Sequence, residues 1–188
     1  MKEILKVGCA ILSYYDNGYA SKKLHINKSS IEIVSESLNK INNISNIVHF
    51  IGNDHKAKHI LKDYFSKNIE SNIDTCSVLN TIYKQYEGII DHLVIISTDQ
   101  ALINFSLCNE LMEKHLKDEA DYSFVENFPV GVGCEILSIQ LLKKLANISF
   151  SVKETFTRKT IYSLVESEIN IYDIQNIVSK RDYRYYRL

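Results

Sequence analysis

The chain has 188 residues, 45% of them hydrophobic and 24% charged, and a formal net charge of -1. That length suits a single domain spanning 1–188, able to bury roughly 70% of its unfolded surface, and the near-zero charge excludes the basic field that draws nucleic acid or anionic lipid. No apolar run approaches the ~20 residues that span a bilayer, the amino terminus lacks the layout of a signal peptide, and the four cysteines form no Cys-x-x-Cys pair, so a cytoplasmic chain with free, packed thiols is expected.

The elements alternate in kind along the chain. Val7 to Leu12 is a nearly continuous apolar run, as for a strand buried on both faces. A polar loop from Ser13 to Lys28 follows, with a turn signal at Asp16-Asn17-Gly18. Ser29 or Ser30 caps a predicted helix whose inner face is Ile31, Val34, Leu38 and Ile41. Asn46 to Ile51 is a predicted strand, His55 to Ser66 a helix, and Ile69 to Ile73 a weak strand. Val78 to Tyr86 has helical spacing, and His92 to Ser97 is the strongest strand signal in the chain. Leu107 to Leu116 predicts a helix, Asp121 to Val125 and Gly133 to Ser138 two strands, and Leu141 to Leu145 and Phe156 to Val165 helices. The aromatic run Tyr183 to Tyr186 predicts a last strand. Strands alternating with helices imply an α/β fold with a mostly parallel sheet flanked by helices. Ligands of such sheets sit beyond the carboxyl ends of the strands. Those ends lead into the loops after Leu12, after Ser97 and around Phe128 to Cys134.

Three segments carry chemistry. Asp99 in Ser97-Thr98-Asp99-Gln100 follows the strongest strand. A carboxylate there can hold Mg²⁺ and so neutralise nucleotide phosphates, or it can simply close an Asx turn. Phe128 to Ser138 holds the one proline, Gly131, Gly133 and the acidic Glu135. Its glycines let backbone approach a ligand closely, or they make a turn into a strand with an outward Glu. The loop after the first strand carries Lys22 and Lys23, which suit phosphates or a solvated surface. His55 and His59 are four apart, but no His-Glu-x-x-His pattern surrounds them. No P-loop, Gly-x-Gly-x-x-Gly or Gly-x-Ser-x-Gly occurs.

In order, these segments resemble the spore-coat polysaccharide cytidylyltransferase-like family, relatives of the acylneuraminate and KDO cytidylyltransferases. The resemblance runs from Leu93 to Leu145. The family's Gly-Asp-x-Pro-Leu-Ile stands here as Thr98-Asp99-Gln100-Ala101-Leu102-Ile103. Its Pro-x-Gly-x-Asp-x-Glu stands as Pro129-Val130-Gly131-Val132-Gly133-Cys134-Glu135, and Glu154-Thr155-Phe156-Thr157 is similar to its Glu-His-x-Thr. The resemblance implies a nucleotide-diphospho-sugar transferase fold, GT-A-like and Rossmann-like. It implies transfer of CMP, or another nucleotidyl group, from a CTP-like nucleotide to a sugar or sugar acid with Mg²⁺. It assigns Asp99 and Glu135 to catalysis, Asp99 to the metal, and Ser13, Lys23 and Gly131 to the nucleotide.

The departures are specific. The family's loop of the type Ala-Arg-x-Gly-Ser-x-Arg-x-Pro-x-Lys stands here as Ser13 to Lys23 without either arginine. The family's motif Asp is Gly133, and the motif His is Thr155. A triphosphate needs such donors, and one transition-state donor is worth ~100-fold or more. Two readings therefore stand beside each other. One is a nucleotidyltransferase of sugar-nucleotide or polysaccharide biosynthesis. The other is a non-catalytic relative that keeps the fold as a binding or assembly module, as a homodimer or within a larger machine. A glycosyltransferase-type domain of the same architecture is a third.

Overall fold

The structure is a computed structural model that describes residues 5–14, 20–24, 27–52, 59–60, 64, 67–149 and 154–186. Its strands are β1 (Val7–Ser13), β2 (Ile44–Ile51), β3 (Asn68–Glu70), β4 (His92–Ser97), β5 (Tyr122–Glu126), β6 (Glu135–Ser138) and β7 (Ile174–Val178). Its helices are α1 (Ser30–Ser37), α2 (Thr75–Tyr86), α3 (Phe105–Lys117), α4 (Ile139–Ile148) and α5 (Thr160–Glu166). One sheet runs in the order β3-β2-β1-β4-β6-β5-β7. All neighbouring pairs are parallel except those made by β6, which is antiparallel to both β4 and β5. The expected mostly parallel α/β sheet is what the chain forms.

The continuous apolar runs explain the centre of the sheet. Every residue of β1 and of β4 is buried, as central strands covered on both faces require. Alternation then sorts their side chains between two cores. Leu12, Leu93, Ile95, Tyr122 and Leu137 meet α2, α4 and α5 on one face. Ile11, Val94, Ile96 and Ile136 meet α1 and α3 on the other. Each fully buried Leu or Ile contributes about 1.5–3 kcal/mol. Cys9, Cys108 and Cys134 are all free thiols buried in that second core, where they pack as small hydrophobes.

Local signals set the helix starts. Ser29 and Glu32 form a reciprocal capping box ahead of α1. Asp74 caps α2, Asn104 caps α3 and Ser138 caps α4 through side-chain acceptors. The predicted helix His55 to Ser66 lies outside the described residues except for His59, Ile60 and Tyr64, and the turn at Asp16 to Gly18 lies outside them altogether.

The expectation at the end of the chain is corrected. Tyr183 to Tyr186 is not a strand; it is a turn closed by a hydrogen bond from Tyr186 N to Tyr183 O at 3.0 Å. The last strand is Ile174–Val178, which pairs with β5 at the sheet edge. Being half exposed, it carries Gln175 and Asn176 and lacks the apolar pattern that marks a covered strand. The aromatic run has strand-like composition, but its backbone is held by the β5–β6 loop, with Tyr183 N bonded to Asn127 O at 2.8 Å.

Candidate functional site

β4 ends in a turn that aims Asp99 out of the sheet. Ser97 Oγ donates to Asp99 Oδ1 at 2.5 Å, and Ser97 N donates to Gln100 Oε1 at 2.6 Å. Gln100 Nε2 then donates to Gly133 O at 2.8 Å, and Asn104 N donates to Val132 O at 2.7 Å. These bonds fasten the Pro129 to Gly133 segment against the end of β4. Gly131 has φ +92, a conformation that favours glycine. Gly133 is a glycine for another reason: a Cβ there would lie 2.4 Å from a Val125 methyl. At the place of the family's motif Asp, the space is taken by Val125.

The resulting cleft of about 680 Å³ lies at the carboxyl ends of β4 and β5, where open α/β sheets bind ligands. Its floor is Ile95, Tyr122, Phe124 and Glu135, and its roof is the loop from Phe128 to Gly133. The residues from Thr157 onward, with the start of α5, form a wall, and Arg184 of the carboxyl-terminal turn closes one side.

Arg158 reaches from that wall and forms an ion pair with Asp99 Oδ2. Its backbone is anchored just upstream. Thr155 makes a bridge with Asp74, Thr75 N donates to Glu154 O at 2.9 Å, and Phe156 is buried in the core. The Glu154 to Thr157 segment therefore acts as a strut that carries Arg158 to the cleft. A second feature is deeper. Burial pushes the Glu135 carboxyl up to about 7, the nearby Tyr122 hydroxyl pulling partly back. That hydroxyl is buried and makes no hydrogen bond of normal geometry. Burial, with the charge of Glu135 adding, raises the Tyr122 phenol well above its ordinary range.

Of the residues singled out in the sequence, Gly131 and Glu135 line the cleft, and Asp99 reaches it through Arg158. Ser13 and Lys23 are placed apart. The Ser13 hydroxyl is 2% exposed and sits in a chain across the sheet, 2.9 Å from Thr98 Oγ1 and 2.9 Å from His49 Nε2. His49 Nδ1 continues to Asn68 Oδ1 at 2.9 Å. Lys23 is exposed beside α1, bridged to Ser29. Tyr122, Arg158 and Arg184 line the cleft as well and had no motif to mark them. Arg158 was the most findable, because it follows Glu154-Thr155-Phe156-Thr157 directly.

No protein-family model and no curated protein matches the sequence. Solved structures do match the fold. A cytidylyltransferase from Leptospira borgpetersenii serovar Hardjo-bovis superposes with a TM-score of 0.80 at 19% identity, over 98% of this chain and 81% of its own. A 4-diphosphocytidyl-2C-methyl-D-erythritol synthase from Anaerococcus prevotii gives 0.72 at 10% identity, over 97% and 91%. A CMP:2-keto-3-deoxy-manno-octonic acid synthetase complexed with CTP gives 0.67 at 12%, over 93% and 90%.

Proposed function

Starting from a fold shared with cytidylyltransferases, we propose that this chain is a cytoplasmic nucleotidyltransferase that moves CMP, or a related nucleotidyl group, from a nucleoside triphosphate to a sugar or sugar acid. The observation that carries this reading is a cleft beyond β4 lined by Arg158 and Glu135, with Asp99 ion-paired to Arg158. A solved neighbour of the same fold is described with CTP bound.

Mg²⁺ belongs to the proposal. Among the described residues no group of three His, Cys, Asp or Glu side chains could hold a metal. Mg²⁺, however, is commonly held by one or two carboxylates together with substrate phosphates and water. Asp99 fits that partial role once Arg158 leaves it, and the ion would neutralise charge on the phosphates. The residues of the chain do the rest. Arg158, freed from Asp99, turns its guanidinium to phosphate oxygens, for which its fork is shaped. The ordered loop at Gly131 keeps side-chain bulk away from that point. The acceptor hydroxyl gives up its proton to solvent as its oxygen bonds the α-phosphorus, and pyrophosphate leaves with the bridging oxygen.

Calorimetric titration of CTP, with and without Mg²⁺, tests the reading together with pyrophosphate release in the presence of sugar acceptors. Wild-type protein binds CTP, and Asp99→Ala lowers turnover ~100-fold or more. The absence of heat with CTP under both conditions overturns it. The non-catalytic module remains the second reading because Ser13 and Lys23 stand outside the cleft. CTP binding without pyrophosphate release from any acceptor would favour it.

A further inference from the structure

The polar groups behind the β4 turn form one line across the sheet. Asn68 belongs to β3, His49 to β2 and Ser13 to β1, and Thr98 directly follows β4. Those four strands lie side by side in that order. His49 Nδ1 is 2.9 Å from Asn68 Oδ1, and His49 Nε2 is 2.9 Å from Ser13 Oγ. Ser13 Oγ is in turn 2.9 Å from Thr98 Oγ1. Every link joins neighbouring strands, and the line ends one residue before Asp99. His49 is 0%, Thr98 1% and Ser13 2% exposed, so these bonds are made in an interior where an unmade one is costly.

The line has a direction. Asn68 Oδ1 only accepts, so His49 Nδ1 donates to it. With its one proton placed there, the neutral ring accepts at Nε2 from the Ser13 hydroxyl. Ser13 has then given its hydrogen, and Thr98 donates to Ser13 Oγ. The other acceptor in reach of the Thr98 hydroxyl is Leu12 O at 3.3 Å, so the Asn68 end of the line selects between the two. The Thr98 backbone is tied as well. Its N donates to Leu12 O at 3.0 Å, and its O accepts from Ser30 Oγ at 2.8 Å. The residue before Asp99 is thus fixed in side chain and peptide, while the Asp99 carboxylate meets Ser97 and Arg158.

We infer that Asn68, His49, Ser13 and Thr98 are positioning residues that hold the β4 turn, so that the Asp99 carboxylate is presented in one orientation. A change at Asn68, three strands away, reaches Asp99 through the ring tautomer and the hydroxyl directions. Ser13 acts on the site from behind, without touching a nucleotide. The inference rests on the nucleotidyltransferase reading for what Asp99 does, and its test separates the two.

Protein labelled with ¹³C at the aspartate carboxyl and ¹⁵N in the histidine rings is compared as wild type, Asn68→Ala, Thr98→Val and Thr98→Ser. Asp99→Asn and His49→Gln identify the two signals by their loss. Asn68 is only half-buried, so its variant keeps the test open if His49→Gln fails to fold. Wild-type His49 carries its proton on Nδ1. Asn68→Ala gives a mixture of tautomers and shifts the Asp99 signal. Thr98→Val shifts that signal too, and Thr98→Ser returns it to the wild-type position. In pyrophosphate release from CTP, Thr98→Val lowers kcat about tenfold or more while KM for CTP stays within twofold, and Thr98→Ser recovers kcat. An Asp99 signal that Asn68→Ala leaves in place overturns the inference. So does a Thr98→Val protein that loses stability but keeps the wild-type kcat. If wild-type protein turns over no CTP while Asn68→Ala moves the Asp99 signal, the nucleotidyltransferase reading falls and the positioning stands.

Discussion

Tyr122 and Ser123 are neighbours on β5 and face opposite sides of the sheet. On the α3 side, Ser123 Oγ lies 2.8 Å from His115 Nδ1, and His115 Nε2 lies 2.9 Å from His92 Nδ1. Each neutral ring carries one proton, so the three groups satisfy one another head to tail. On the other side, the Tyr122 hydroxyl is sealed from solvent against the Glu135 carboxyl, and Glu135 lines the cleft. The same pleat thus carries a polar chain on one face and the Tyr122–Glu135 pair on the other. The first chain holds helix to sheet, whereas the second pair lies between the neighbouring strands β5 and β6.

The two faces also respond to pH in opposite senses. Burial, with repulsion from His92 adding, pushes His115 from 6.5 down to about 3. Neutral His115 therefore stabilises the fold above about pH 6.5, and that contribution is lost as pH falls towards 3. Glu135 is raised from 4.5 to about 7. Its contribution is present below about pH 4.5 and is lost as pH rises through 7.

The largest effect expected is from His115→Ala. It empties a fully buried site and leaves Ser123 and His92 unpaired, at a cost of about 2–4 kcal/mol in urea denaturation. It also flattens the acid limb of the stability profile. A loss under about 1 kcal/mol would mean that the polar chain does not hold this face. Next, Glu135→Gln is expected to raise stability at pH 8 by about 1–3 kcal/mol and to leave it unchanged at pH 4. Equal melting shifts at both values would break the contrast. The smallest effects come from β5 itself. Ser123→Ala costs about 1–2 kcal/mol, and Tyr122→Phe changes stability by no more than about 0.5 kcal/mol. Equal costs at the two positions would show that the faces are alike.

The sheet was legible in the sequence because its central strands are buried on both sides and so read as unbroken apolar runs. β7 was not, because an edge strand needs no such run, and Tyr183 to Tyr186 misled for the converse reason. Asp99, Gly131 and Glu135 were visible because each sits at a strand end or in a glycine turn. Their partners were not, because tertiary docking brings them in. Arg158 reaches Asp99 only because Phe156 is buried and Thr155 bridges Asp74. Tyr122 reads in sequence as an ordinary core aromatic, and only the packing shows that its hydroxyl lies against Glu135. The separate placement of Ser13 follows from His49, whose position on β2 beside β1 no local pattern reveals.

β6 runs against its neighbours, so β5, the Asn127–Cys134 connection and β6 form one hairpin. Tyr122 and Glu135 lie on its strands, and Phe128 to Gly133 lie at its tip. Apart from Ile95 of β4, the floor and the roof of the cleft are therefore a single contiguous cassette of 17 residues, Tyr122 to Ser138. Asp99 and the β1 loop lie outside it. Exchanging that hairpin between homologues would exchange the floor and the roof together while leaving the β4 turn untouched. In a lineage that diversifies, this separation lets most of the cleft's lining change by recombination or point change without altering the sequence of the β4 turn.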